Sequence, residues 1–516
     1  MSEKKAGDVA LPLLNRAPIT YDSAINKDGN ILNKLKYAAA NEELYERLWA
    51  ERRAIEALTK HHLGLGPRDE ARCTVSPRED WLRGGFNACV PVEPAGTNKA
   101  GTRRRRRFLF RCPPPYKLSE VAYPGTMHEK LGCEVGTYAW MKDHCPDIRI
   151  PHLYGFGFSD SRHFTHMAQH PWHVRVIRTL KRLLFGLVGC PVSSAHVSAP
   201  ATPSCSSAYM LLERIEQETG RVLVTTWNKN RDDPERRQRL FRGIACMILS
   251  RIPQPRIGSF QFHDDGTVSL TNRPPSSTIV LLENDGAPRM MPRGDTFACT
   301  EWYVSDFLAF HDRNFLSHPN AVFLEKICQG EMAVKAILRA RAHRYIRRES
   351  RAGPFLPQLT DLHIGNIFVD DEWNVTCLID LEWVCSMPAE AITVPYWLTG
   401  RGIDQLTREH LADFDRAWLE FMLAFEEEEH GEMSTSLGVP LSQIMRQTWE
   451  SGGMWLWLSV DSVNAAYSLV SKHLMPRFTS RTSETREAIS EFWCEESCVM
   501  VAKKMDDYRA GWRMRK

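Results

Sequence analysis

The stretch that most restricts how this chain can fold is LTDLHIGNIFVDDEWNVTCLIDLEW, residues 359–383. Two short apolar, β-branched runs, NIFVD and VTCLID, flank the polar residues DEWN. That pattern predicts a hairpin. Paired strands lie about 4.8 Å apart, so the hairpin's two open ends are neighbours. Asn366 stands at one end, Asp380 at the other, and Asp361 lies in a polar loop upstream on the same rim. The same D-x-x-x-x-N spacing recurs at Asp28 and Asn33, in a segment read as functionless. Asp and Asn favour turns on their own account; the hairpin that gathers three of them is what sets the Asp361 copy apart.

Groups of this kind suit phosphoryl transfer. Magnesium takes oxygen ligands, typically one or two carboxylates with water and phosphate. Asp380 and the amide oxygen of Asn366 meet that need. A further acid must face an acceptor hydroxyl, orient it and accept its proton late, and Asp361 is placed for that. His363 would add a hydrogen bond within the loop. Glu382, two residues past Asp380, would support the metal shell or the acceptor.

Composition sets the frame. With 516 residues, 43% hydrophobic and 25% charged, the chain can bury a sizeable core in one large or several ordinary domains. A net charge of +3 gives no general field for nucleic acid or membrane. The basic run Arg103–Arg107 lies in a predicted hairpin loop and runs into a strand, so a solvated loop is expected, with a nuclear signal or an anionic-ligand patch as the other reading. It lacks the interleaved aromatics of a single-strand nucleic-acid binder. The acidic run Glu426–Glu429 is expected to be a solvated helix face, with attraction of a cationic acceptor as the other reading. Fourteen cysteines without a C-x-x-C pair suit reduced thiols and a cytoplasmic setting. Cys494 and Cys498 lie one helical turn apart without further metal ligands nearby. Neither a signal-peptide pattern nor a run of 18 apolar residues occurs, so no transmembrane segment is expected. Val176–Cys190, VIRTLKRLLFGLVGC, carries Arg178, Lys181 and Arg182. It would form either an amphipathic helix on a membrane surface or a basic helix packed on its domain; packing is the expectation.

The pattern along the chain divides it into three parts. Residues 1–69 form an extension, unordered to about residue 30 and then helical from Leu35 to His62, until Gly64, Gly66 and Pro67 stop it. Residues 70–212 hold most of the strands. WLRGGFNACVPVE reads as two strand halves around Gly84-Gly85, PAGTNKAG as a hairpin loop, and RRRFLFRC as a strand ended by three prolines. A helix follows at 128–144, then LYGFGFSD as strand and turn. An inserted segment, 161–206, is basic and then Ser/Pro/Ala-rich, and AYMLLERIE is a buried strand. Residues 213–516 are mostly helical, apart from a hairpin turning at Asp264–Gly266, the loop 359–366 and the strand end at 380. The tryptophan-rich stretch Met454–Val470 reads as a core helix. The fold class is therefore α+β, with a small β-rich lobe, a mostly helical lobe and a cleft between them.

TDLHIGN followed by LIDLEW resembles the catalytic loop and metal-binding strand of the aminoglycoside phosphotransferase and choline kinase superfamily. LTDLHIGNIFVD, LIDLEW, PYWLTGR and PRIGSF together are closest to its large fungal group, over about Trp81 to Glu429. The resemblance implies a two-lobed, protein-kinase-like fold that moves the γ-phosphoryl of ATP to the hydroxyl of a small molecule, with magnesium. It implies that Asp361 is the catalytic aspartate and that Asn366 and Asp380 bind the metal. Gly84, Gly85, Phe86 and Asn87 would form the nucleotide-covering turn. Arg111 would occupy the position of the third-strand lysine, with Glu134 as its ion-pair partner. Leu211, Leu212 and Glu213 would border adenine as the hinge. Tyr396 and Trp397 would line the acceptor pocket or pack in the core.

Three departures keep a second reading open. Leu359 stands where kinases place histidine two residues before the aspartate, arginine replaces lysine on the third strand, and Gly84-Gly85 is a short glycine turn. A pseudokinase or nucleotide-binding interaction module without turnover would tolerate all three. A protein kinase fits less well, because LIDLEW stands in place of a D-F-G pattern. The identity of the acceptor is open.

Overall fold

The computed structural model describes residues 10–20, 23–24, 31–65, 72–95, 107–188, 191–201, 205–250, 252–318, 322–429, 437–478 and 483–513. Side chains alternate along Tyr209–Glu213: Tyr209 and Leu211 enter one core, Met210 and Leu212 another. This strand is central in an eight-stranded antiparallel sheet. The order is Arg72–Val75, Ala88–Ala95, Phe108–Cys112, Tyr209–Glu213, Leu153–Gly157, His163–His166, His196–Ser198. Leu82–Arg83 folds back on Ala88–Ala95, so the two expected strand halves around Gly84-Gly85 do pair.

Helices cover both faces. Ile31–Ala50 and Arg52–His62 bring Leu44, Leu48, Ile55 and Leu58 against Val90, Phe110 and Tyr209. On the other face lies Thr126–His144, whose Leu131, Val135 and Tyr138 share a core with Phe156 and Leu212. That core runs without a break into the helical part, which includes Thr300–Ser317, Glu325–Ala342 and Glu409–Glu428. The expected hairpin forms from Ser259–Phe262 and Val268–Asn272 and lies on the helix at two glycines. A Cβ on Gly132 would sit 2.2 Å from the Gln261 amide nitrogen, and one on Gly136 3.1 Å from the Phe262 backbone nitrogen. The chain is thus mixed α/β, with a sheet region and a helical part.

Several expectations need correction. The start read as unordered carries a small hairpin, Leu11–Leu13 with Arg16–Ile19. The single helix from Leu35 to His62 is two, interrupted at Glu51, whose carboxylate accepts from the Ser206 N–H at 3.2 Å and the Cys205 thiol at 3.1 Å. The tryptophan-rich helix ends at Asp461 and resumes at Ala466, because Asp461-Ser462 and Asn464 favour a turn. Most consequential, the basic helix expected to pack on its domain spans Trp172–Leu187 and buries none of its residues. The loop PAGTNKAG beyond Ala95, the run Arg103–Arg106, Gly66, Pro67 and Asp28 lie outside the described residues. Among the described residues, no helix is long and apolar enough to cross a membrane, and the cysteines are free thiols.

Candidate functional site

Two antiparallel pairs nest around the informative stretch: Leu356–Leu359 with Val384–Met387, and Ile367–Val369 with Val375–Leu378. The pairings Leu359↔Val384 and Ile367↔Leu378 pin both ends of two loops, 360–366 and 379–383, side by side. Asp361, Asn366 and Asp380 consequently line one small pocket, with Leu359, Leu362, Ile379 and Trp383. The DEWN turn is less polar than it reads. Trp373, at φ +66°, is fully buried, stacks on Trp227 at 5.5 Å and donates to the Thr226 hydroxyl at 3.1 Å. This anchor holds the hairpin against the helical part.

The loop is tied internally. His363 Nδ1 accepts the Gly365 N–H at 2.9 Å, and the His363 carbonyl accepts the Asn366 N–H at 2.9 Å. The Asn366 amide donates to the Asp361 carbonyl at 3.0 Å, which commits its nitrogen and leaves its oxygen for the pocket. Trp397 is buried under the loop and donates to the Leu362 carbonyl at 2.7 Å, so it packs and positions. Tyr396 is half-buried; burial, then Asp361 and Asp461, raise its phenol above the usual value.

Asp380 sits at φ +63°, uncommon for a residue with a side chain. Arg111 holds it there, donating from Nη2 to Asp380 Oδ1 at 2.6 Å and from Nη1 to Glu134 Oε1 at 2.9 Å. The expected Arg111–Glu134 pair therefore forms, and it reaches on to the expected metal ligand. A second cation joins. Lys130, one helical turn before Glu134, contacts Glu134 Oε2 at 3.2 Å and Glu382 Oε2 at 2.5 Å. Asn87 donates to Glu382 Oε2 at 2.9 Å. Five charged groups are thus packed together, and all but Asp380 are buried.

Three carboxylates here face two cations. Burial, only partly offset by Lys130 and reinforced by Asp380 and Glu134, pushes the Glu382 carboxyl up to about 7. Burial alone would lower the Lys130 ammonium and the Arg111 guanidinium, but their acidic partners hold both above the ordinary values. The cluster is one positive charge short. Burial also raises Asp361; His363 opposes the shift and Asp380 adds to it.

Oxygen donors of this kind fit a divalent cation. Carboxylate oxygens of Glu134, Asp380 and Glu382 lie within 4.8 Å of one another, the one such acidic or thiol group among the described residues. Glu134 and Glu382 are held by Arg111 and Lys130, and Arg111 also takes Asp380 Oδ1, so Asp380 Oδ2 and the Asn366 amide oxygen are the candidate donors for a metal.

Other expected residues do not converge on this pocket. Phe86 packs edge-on against Trp383 at 5.0 Å, beside Leu118 and Val280, and Asn87 belongs to the ion cluster. The Gly84 N–H donates to the Asn87 carbonyl at 2.9 Å, and the Gly85 carbonyl accepts from Lys117 at 2.6 Å. Leu211 and Leu212 are buried on opposite sheet faces, and Glu213 pairs with Arg149 at 3.4 Å. A nucleotide would meet this strand only through its backbone. The acidic run is engaged elsewhere: Glu426 with Arg446, Glu427 and Glu428 with Arg242, and Glu429 with the Leu441 N–H at 2.6 Å. Asn33, of the duplicate spacing, donates to the Asn284 carbonyl at 2.9 Å.

Two residues were missed by sequence reasoning. Lys130 had a signal, since K-x-x-x-E places Lys130 and Glu134 on one helix face. Asp461 had none. It lies 100 residues from Asp361 in sequence, yet burial and the Asp361 charge push its carboxyl up to about 6. Compared with models of known protein families, the chain matches none, and no curated protein matches it in sequence.

Proposed function

We propose that the chain is a phosphotransferase that moves the γ-phosphoryl group of ATP to the hydroxyl of a small molecule, in a two-lobed kinase-like fold. One observation carries this reading: Asp361, Asn366 and Asp380 line one pocket, and Arg111, on the third long strand of the sheet, ties Asp380 to Glu134 of the following helix. Kinase-like sites need this combination of cation, helix acid, metal ligand and facing aspartate.

Asp361 orients the acceptor hydroxyl and takes its proton; its raised carboxyl makes it a stronger base than an exposed aspartate. Arg111 offers phosphate a planar, permanently charged donor. Asp380 and the Asn366 amide oxygen would hold magnesium, which when bound would supply charge neutralisation for the triphosphate. Trp397 and the His363–Gly365 bond keep the loop in place without touching the reacting atoms. Asp461, whose carboxyl the Asp361 charge helps to raise, offers an acceptor with cationic groups a second acid nearby.

The test is an ATP-consumption screen over hydroxyl-bearing metabolites and amino alcohols, with Asp361→Ala as control. Turnover that survives unchanged in that variant removes Asp361 from the mechanism.

A second reading, a binding module without turnover, is favoured by Phe86 folded onto Trp383 and by Asp380 already bound to Arg111. Thermal-shift titration with Mg-ATP separates the two. A ligand at about 100 times its dissociation constant stabilises by about 2.7 kcal/mol. Stabilisation with ATP turnover supports the enzyme; stabilisation without turnover across the screen supports the module.

A further inference from the structure

The helix Trp172–Leu187, WHVRVIRTLKRLLFGL, is oriented opposite to an ordinary surface helix. Val174, Arg178 and Arg182 are its half-buried residues, and they are spaced by four, on one face. Arg182 fastens that face to the body through Asp143 at 2.8 Å. The apolar stripe lies on the other side. Trp172, Val176, Ile177, Leu180, Leu183, Leu184 and Leu187 all point into solvent, with Trp172 74%, Leu180 61%, Leu183 61% and Leu187 85% exposed. An amphipathic surface helix normally turns such a stripe to the core. Here the polar face holds the protein and the apolar face is offered outward.

Charge indicates what covers it. Residues 172–188 contain Arg175, Arg178, Lys181 and Arg182 and no carboxylate. Arg175 and Lys181 are exposed and border the apolar stripe, where their stems can run along it and their charges reach headgroups. Tryptophan at the helix start suits an interface that is apolar on one side and wet on the other. A second copy of the chain would set these cations against like cations.

We propose that this helix is a monotopic anchor that lays its Trp172–Leu187 apolar face into the headgroup region of an anionic lipid bilayer. Such helices combine apolar burial with attraction to acidic lipids. The anchor is independent of the phosphotransfer reading, because no residue of the pocket lies on it.

The experiment is vesicle co-sedimentation of the full chain, with phosphatidylcholine vesicles containing roughly 30% phosphatidylserine against phosphatidylcholine alone, at low and high salt. The chain should pellet with the acidic vesicles, at least about tenfold more than with neutral ones, and be released by salt. Leu180→Glu with Leu184→Glu should abolish binding while the melting temperature stays unchanged, since both side chains are exposed. Arg175→Gln with Lys181→Gln keeps the apolar face and should weaken binding by about fivefold per cation. The proposal is overturned by a wild-type chain that stays in the supernatant with acidic vesicles, or by both variants binding as the wild type does. It is equally overturned by a wild-type dimer that Leu180→Glu with Leu184→Glu converts to monomer without any vesicle binding, for then the face joins two copies.

Discussion

One helix, Thr126–His144, serves two buried ion networks that differ in completeness. At its start, Glu129 meets Arg273 at 2.7 Å and Arg293 at 3.2 Å, while Glu283 meets Arg273 at 2.6 Å and Arg289 at 2.7 Å. Three arginines there satisfy two carboxylates. One turn along the helix, Glu134, Asp380 and Glu382 share only Arg111 and Lys130. Burial opposes ionisation in both, yet the arginines hold the Glu129 carboxyl below its usual value, while Glu382 is pushed up to about 7. The first network is closed and fixes the helix to the segment 273–293. The second lacks one positive charge and opens through Asp380 on the pocket. A complete network is structural; an incomplete one beside a cavity is where an added cation is stabilised.

The sharpest way to break this contrast is at the pocket. Asp361→Ala should lower turnover by about 10²- to 10⁴-fold, the usual contribution of a positioned base, with the melting temperature nearly unchanged. A large loss of stability in that variant would make Asp361 part of the frame. Arg273→Met should act in the opposite sense. It takes from Glu129 and Glu283 the arginine they share, leaving them Arg293 and Arg289, and removing one partner of a buried pair costs up to about 3–5 kcal/mol, read by denaturant unfolding. A small loss there would mean that the first network is no more complete than the second.

Glu382→Gln probes the missing charge. The Glu382 carboxyl is raised in the folded protein, so the folded state binds more protons than the unfolded one between about pH 4.5 and 7. Stability from this group is therefore lost as pH rises through that window. The variant should flatten the fall and recover on the order of 2 kcal/mol at pH 8. An unchanged pH profile would show that Lys130 alone neutralises Glu382. Asp461→Asn should do the same on a smaller scale. Its carboxyl is raised from 3.8 to about 6, so the loss runs across that range, on the order of 1 kcal/mol for a half-buried group. The pH profile of unfolding checks it.

The comparison also shows where sequence reasoning reaches. The hairpin Ile367–Val369/Val375–Leu378 and its acids were legible because strand pairing is local: two apolar runs and a short turn leave few alternatives. The Arg111–Glu134 pair entered only through the family resemblance, and the structure forms it. Lys130 was within reach, one helical turn from Glu134. Trp373 was hidden, because a tryptophan in a polar turn gives no sign of the Trp227 it stacks on. Leu211 and Leu212 read as a strand correctly, but a strand's alternation sends them into two cores and not toward the pocket.

Local order of residues, then, determined the strands, most helices and the edge at which Asp361, Asn366 and Asp380 gather, since these depend on neighbours a few positions apart. Tertiary structure decided the rest: which carboxylates share which cations, that Asp461 stands near Asp361, and that Trp172–Leu187 turns its apolar side outward. Burial and charge balance are sums over groups distant in the chain, and only the packed molecule brings those groups together.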